Sequence, residues 1–203
     1  MGTVAKASDK AINIIKAAGG IIRTGEARAA GIYDRTLSKL MNDGKLEQIS
    51  RGVYRLLTAQ PLENPDLVTV AAKIPQGVIC LISALSFHNI TTQIPHEVFV
   101  ALDRNSRTPS LEYPPISVYR FTGRAFTEGV EKHMIDGIEA KIFSAEKTLA
   151  DCFKFRNKIG MDVVLEALKL YRSRRKFNVH ALLKYAKVCR VEKQMSPYLE
   201  ALV

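Results

Sequence analysis

An α+β fold is what the sequence predicts: an N-terminal winged helix-turn-helix, then a mixed α/β domain that ends in several helices. Three observations carry that expectation. Residues 24–56, TGEARAAGIYDRTLSKLMNDGKLEQISRGVYRL, read as two short helices followed by a two-stranded hairpin. Between residues 78 and 143 the apolar residues alternate as strands do, and Asp136-Gly137 marks a tight hairpin turn. From Ser144 onward the apolar period becomes helical.

Each N-terminal element has a local reason. Residues 5–18 form an amphipathic helix with Ile12, Ile15 and Ile14 inward, and Gly19-Gly20 ends it. Ile21, Ile22 and Arg23 suit a short strand that completes the sheet of the wing. Thr24 is expected to N-cap a helix over residues 25–30, its hydroxyl accepting an orphan backbone N–H. Gly31 supplies the turn. A second helix over residues 34–43 has Asp34 near its positive end and Gly44 just beyond its last residue. Leu37, Leu40 and Met41 share one of its faces, at i, i+3 and i+4. Residues 46–49 and 53–56 then pair around Ser50-Arg51-Gly52. Helix, turn, helix and a hairpin with a basic tip describe a winged module whose second helix enters the DNA major groove.

The stretch 58–65 holds two prolines and no apolar period, so it reads as a linker between a domain over residues 1–60 and one over residues 61–203. In the second domain, residues 66–73 look helical, 78–82 β-rich, and 83–88 a short helix. Strands are expected at 96–102, 116–121, 128–135 and 138–143. Helices follow at 145–157, 161–171 and 179–189, and a last one from about 191 is bent or interrupted at Pro197.

The 203-residue chain carries a net charge of +10, placed unevenly. Residues 1–60 hold +5, residues 61–145 hold −2, and residues 146–203 hold +7. Two basic ends around a slightly acidic middle suit a polyanionic partner, although lysines and arginines also keep exposed helix faces soluble. Cys80, Cys152 and Cys189 are far apart in apolar surroundings and read as reduced, buried thiols. None forms a CxxC pair, so no metal site is expected. There is no apolar run of transmembrane length and no secretory leader pattern, so a cytoplasmic protein is expected, with no membrane partner.

Opposite the Leu37 stripe stand Arg35, Ser38, Lys39 and Asn42, which can reach base edges or phosphates. Thr36 lies beside that face, Tyr33 at the helix entrance can hydrogen-bond a phosphate, and Arg51 sits at the wing tip. Tyr54 reads as core and Arg55 as a brace of the sheet. Further on, Arg172, Arg174, Arg175 and Lys176 form the densest basic cluster. Lys154, Arg156 and Lys158 lie a helix earlier; Lys184, Lys187 and Arg190 lie a helix later. Their charges merge into one face only if the helices pack side by side.

The order GIYDRTLSKLMNDGKLEQISRGVYRL, then VICLISALSFHNITTQIP, then a strand pair and SAEKTLADCFKFRNKIG, resembles the AbiEi family of type IV antitoxins over residues 12–171. The Gly52-Val53-Tyr54 wing is weakly specific; residues 81–95 and 144–155 in that order are more so. The resemblance implies an N-terminal winged helix on a C-terminal α/β domain. It implies autorepression at inverted-repeat operators of double-stranded DNA. It also implies counteraction of a nucleotidyltransferase-type toxin, generally without a stable complex. Lys154, Arg156, Lys158, Arg172, Arg174, Arg175 and Lys176 are then the candidate antitoxin patch. Residues 172–203 match that family only in being helical and basic.

Enzyme signatures are absent: no GxxxxGK[ST], GxGxxG, HExxH or GxSxG. The four histidines have no ligand spacing, His88 reads as a packed or capping residue, and Asp103-Arg104-Asn105 as a turn. No catalytic residue and no cofactor is expected. The leading expectation is a non-enzymatic DNA-binding repressor and antitoxin. A ligand-responsive winged-helix regulator without a toxin partner is the alternative, and an enzyme with a DNA-targeting domain the third.

Overall fold

The computed structural model describes residues 2–59, 62–175 and 177–201. Its contacts divide the chain into two compact units. Met1–Ile74 with Met134–Ala140 form the first, and Pro75–His133 with Lys141–Val203 the second.

The first unit begins with α1 (Gly2–Ala17) and β1 (Ile21–Arg23), followed by α2 (Thr24–Ala29) and α3 (Asp34–Asn42). The wing is β2 (Leu46–Ser50) and β3 (Val53–Leu56). The three strands form an antiparallel sheet in the order β1-β3-β2, so residues 21–23 complete the wing sheet as expected. Ile15, Ile22, Ala27, Ile32, Leu37, Leu40, Leu46 and Leu56 pack into one core. Burying an aliphatic side chain of this size stabilises by about 1.5–3 kcal/mol, so the Leu37/Leu40 stripe is what fixes α3 on the module. Ile15 is buried whereas Ile12 and Ile14 pack at its margin, because Ala11 and Ile15 hold the centre of the α1 stripe.

Thr24 does not cap α2; it is the first helical residue, and Arg23 stands at the N-cap. The Arg23 backbone N–H donates to Glu26 Oε2 at 2.9 Å, satisfying one donor there. Thr24 faces the wing instead. Its backbone N–H and its hydroxyl both donate to the Gly52 carbonyl, at 2.8 and 3.2 Å. Gly52 has φ +76, and a Cβ there would stand 3.0 Å from Thr24 Oγ1, so both the turn and this approach favour glycine.

The next helix, α4 (Pro65–Lys73), packs against β2. The contact division therefore falls at Ile74, where the proline-based reading had placed it at residue 60.

A five-stranded mixed sheet, in the second unit apart from residues 134–140 at the tip of its last hairpin, has the order β6-β5-β4-β8-β7. Its strands are β4 (Val78–Ile79), β5 (Val98–Asp103), β6 (Ile116–Phe121), β7 (Val130–Ile135) and β8 (Ile138–Phe143). β4 runs antiparallel to β5 and parallel to β8, and β5 runs parallel to β6. Asp136 and Gly137, at φ +48 and +80, close the β7–β8 hairpin as the type I′ signal predicted. The apolar run 78–82 is a strand only to Ile79. Leu81, at φ +46, turns the chain into α5 (Leu81–Phe87). A four-residue helix, α6 (Arg124–Thr127), was not foreseen.

The expected helix 145–157 is two: α7 (Ala145–Lys154) and α8 (Arg156–Ile159), broken at Phe155. Ser144 caps α7, its hydroxyl accepting from the Lys147 backbone N–H at 3.3 Å. Then come α9 (Met161–Arg172), α10 (Val179–Cys189) and α11 (Glu192–Glu200), which continues through Pro197. The helix α7 is the centre of this unit's core, every residue from Lys147 to Phe153 being buried. Lys147 donates to Asp151 one turn on, both fully buried, and its ammonium lies 4.1 Å from the Phe143 ring centroid. Cys189 Sγ completes the cluster, donating to Asp151 Oδ1 at 3.1 Å. Burial raises the Asp151 carboxyl above its ordinary range, against the opposing pull of Lys147. All three cysteines are free and buried, and burial pushes each thiol up.

Candidate nucleic-acid interface

The order α2–turn–α3 followed by the β2–β3 wing sets one helix on the surface of the first unit. Two contacts fix its entry. Tyr33 is the N-cap residue, its carbonyl accepting from the Thr36 and Leu37 N–H groups at 2.8 and 3.2 Å. Arg28 of α2 grips Asp34 in the first turn of α3, Nε to Oδ1 at 3.2 Å and Nη2 to Oδ2 at 2.6 Å. That hydrogen bond, followed by the Coulombic attraction, holds the Asp34 carboxyl below its usual range and raises Arg28. The carboxylate also suits the positive end of the helix.

With Leu37 and Leu40 buried, the helical period leaves the opposite face outward. Arg35, Ser38 and Asn42 are exposed, and Thr36 and Lys39 are half-buried. These five residues line one open groove of about 600 Å³, together with Asp43 and with Ala7 and Ser8 of α1. Two predicted residues lie outside that groove lining: Tyr33, 72% exposed at the helix entrance, and Arg51, exposed in the wing turn. The groove therefore offers two cations, one anion and several neutral hydrogen-bonding groups. That mixture suits base edges and phosphate oxygens together.

Ala7 and Ser8 are the contributors that sequence reasoning missed. Ser8, Ala11 and Ile15 are spaced i, i+3, i+7 and all are buried. Extending the apolar stripe of α1 back by one turn would have placed Ser8 against the module. Its hydroxyl is buried without a hydrogen-bond partner among the described residues.

Arg55 braces the sheet, as expected. It sits directly across from Glu47 and donates to Glu47 Oε1 at 2.7 Å. Tyr54 is half-buried against the core.

The second unit's basic residues do not form one free cluster. Arg174 is half-buried and donates to the His88 carbonyl at the end of α5, so it serves as a helix cap. Arg156 donates to the Phe153 carbonyl at 2.9 Å and stacks over that ring at 4.9 Å. The guanidinium of Arg172 lies 5.2 Å from the Phe177 ring, and Arg175 is exposed. Lys176 falls outside the described residues. Lys158 lies 5.5 Å from the Tyr119 ring. Lys154 is exposed and lines a different cavity, with Lys187 and Arg190 from the end of α10 and with Arg124 of α6. Side-by-side packing of α7 and α10 is what joins these charges. His88 behaves as a packed residue: its Nε2 lies 2.7 Å from the Phe143 carbonyl, and burial lowers its pKa. Asp103 makes the predicted turn, accepting from the Asn105 N–H at 3.0 Å. Among the described residues, no group of three His, Cys, Asp or Glu could hold a metal, and no helix is long and apolar enough to cross a membrane.

Residues 10–57 match the family described as "Transcriptional regulator, AbiEi antitoxin". The match runs from the second half of α1 to the end of the wing, and takes in the helix α3 whose outward face lines the groove. No curated protein matches the chain. Among solved structures, the RV2827C protein from Mycobacterium tuberculosis is similar in fold. It aligns with a TM-score of 0.58 at 14% identity, over 88% of this chain and 71% of that one.

Proposed function

We propose, starting from the AbiEi match of residues 10–57, that this protein is a cytoplasmic, non-enzymatic autorepressor and type IV antitoxin. Its winged module binds an inverted-repeat operator, and its second unit counteracts a nucleotidyltransferase-type toxin encoded nearby, which is a phage-defence role. The observation that supports this most directly is the outward face of α3. Arg35, Thr36, Ser38, Lys39 and Asn42 share one open groove on the side opposite the buried Leu37/Leu40 stripe. A helix presented in this way can enter a major groove and place Arg35 and Asn42 against base edges. Tyr33 and Arg51 extend the contact to flanking phosphates.

A gel-shift assay of the full chain on its own upstream DNA tests the first half. A retarded complex with that DNA, and none with scrambled duplex, is the expected result; equal affinity for both removes the repressor reading. Co-expression with the neighbouring gene tests the second half. A ligand-responsive regulator without a toxin partner is favoured by one observation, the basic cavity lined by Lys154, Lys187 and Arg190. A neighbouring gene that is harmless when expressed alone would select that reading.

A further inference from the structure

We infer that the cavity between α6, the end of α7 and the end of α10 is a binding site for a compact polyphosphate group. Its volume is about 530 Å³, and its lining includes Arg124, Lys154, Lys187 and Arg190. That size lies in the range of small-molecule sites. The inference does not rest on the repressor and antitoxin reading, since the cavity lies wholly in the second unit.

The charges are arranged to leave two cations for a ligand. Arg124 is paired with Glu128 at 2.5 Å, and Lys187 with Glu192 at 3.3 Å. Lys154 and Arg190 have no carboxylate within ion-pair distance among the described residues. Lys154 is held over aromatic rings, 5.6 Å from Phe155 and 6.0 Å from Phe121, which orients its stem without neutralising the ammonium. Arg190 ends α10 in the left-handed region at φ +61. Its backbone N–H donates to Lys187, and the Val191 N–H closes back to Ala186 at 2.9 Å. Helix ends of this form usually carry glycine. An arginine there is a strained choice for the backbone, and the residue lines the cavity. Arginine and lysine side chains lining one concave polar site suit the charge of phosphate oxygens.

The test is a calorimetric titration of the full chain with inorganic tripolyphosphate at fixed ionic strength, comparing wild type with Lys154→Gln, Arg190→Gly and the double variant. Glycine suits the backbone of residue 190, so Arg190→Gly keeps or raises the thermal midpoint, and lost binding then cannot be blamed on unfolding. The expected result is saturable binding by wild type, weakened about tenfold or more in the double variant through the lost charge-assisted bonds. A nucleoside triphosphate titrated in parallel identifies the source. Tighter binding than tripolyphosphate assigns the site to a nucleotide, and equal binding assigns it to the phosphate chain alone. Undetectable tripolyphosphate binding by wild type, or equal binding by wild type and the double variant, overturns the inference. So does retention of only a short duplex DNA with no response to either small anion.

Discussion

Arg35 and Lys39 leave the core of the first unit untouched, since Leu37 and Leu40 carry the packing of α3. Arg35→Ala with Lys39→Ala should therefore change stability by no more than about 0.5 kcal/mol per site. Operator affinity should fall by about 1–3 kcal/mol for Arg35 if it reads a guanine, with relaxed specificity at one base pair. Urea unfolding and a gel shift on the same samples check both parts; full repression by the double variant would put the DNA on another face. At His88 the sign of the pH effect follows from burial. Its folded-state pKa is lowered, so the stabilisation from neutral imidazole is complete above the unfolded value, about 6.5, and is lost as pH falls through the lower folded value. Thermal midpoints should drop below about pH 6.5, and less steeply in His88→Gln. Equal slopes in the two proteins would assign the acid sensitivity elsewhere. The roles of single residues were legible in the sequence where period decided them, as for Leu37, Leu40, Tyr54 and Arg55. They were not legible where a distant partner decided them. Thr24 looks like a cap because the Gly52 carbonyl that takes its hydroxyl is 28 residues away. Arg174 looks free because its acceptor, the His88 carbonyl, is 86 residues away.

Within α7 the decisive feature is a fully buried charged pair one helical turn apart. Lys147→Met alone strands the Asp151 carboxyl, and should cost about 3–5 kcal/mol as for other broken buried pairs. Lys147→Met with Asp151→Leu removes both charges and should recover most of that loss. Equal unfolding midpoints for the single and double variants in urea would mean that the pair is not coupled. The elements themselves were largely readable. The hairpin at Asp136-Gly137, the strand at residues 116–121 and the helix at residues 179–189 stand where their periods placed them. The breaks were not. Phe155 parts α7 from α8 without glycine or proline, and α11 is not interrupted at Pro197. At Phe155 tertiary packing overrides the local signal, the ring stacking against Tyr119 at 5.0 Å and Phe121 at 5.7 Å.

Across the whole chain the net charge of +10 sets the expected response to salt. Operator affinity should fall linearly on logarithmic axes, by about 0.9 per phosphate contact neutralised. A flat response between low and moderate salt would exclude a phosphate-dominated complex. The charge split was readable from sequence, whereas the meeting of Lys154 with Arg124, Lys187 and Arg190 was not, because it needs α6, α7 and α10 in one place. The proline stretch at 58–65 read as a linker between domains, yet α4 beyond it packs on β2 and belongs to the first unit. One small feature of that unit reaches further than its size. Two hydrogen bonds from Thr24 clasp the wing turn, next to Arg51, to the start of α2. In the proposed complex the module would act as a caliper, gauging the distance between a groove taken by α3 and the backbone under the wing. Thr24→Val keeps the backbone bond and removes the hydroxyl, loosening one jaw. Binding should then tolerate an operator whose wing-side contact is shifted by a base pair, an effect that a footprint of the two proteins would display as a blurred edge on that side alone.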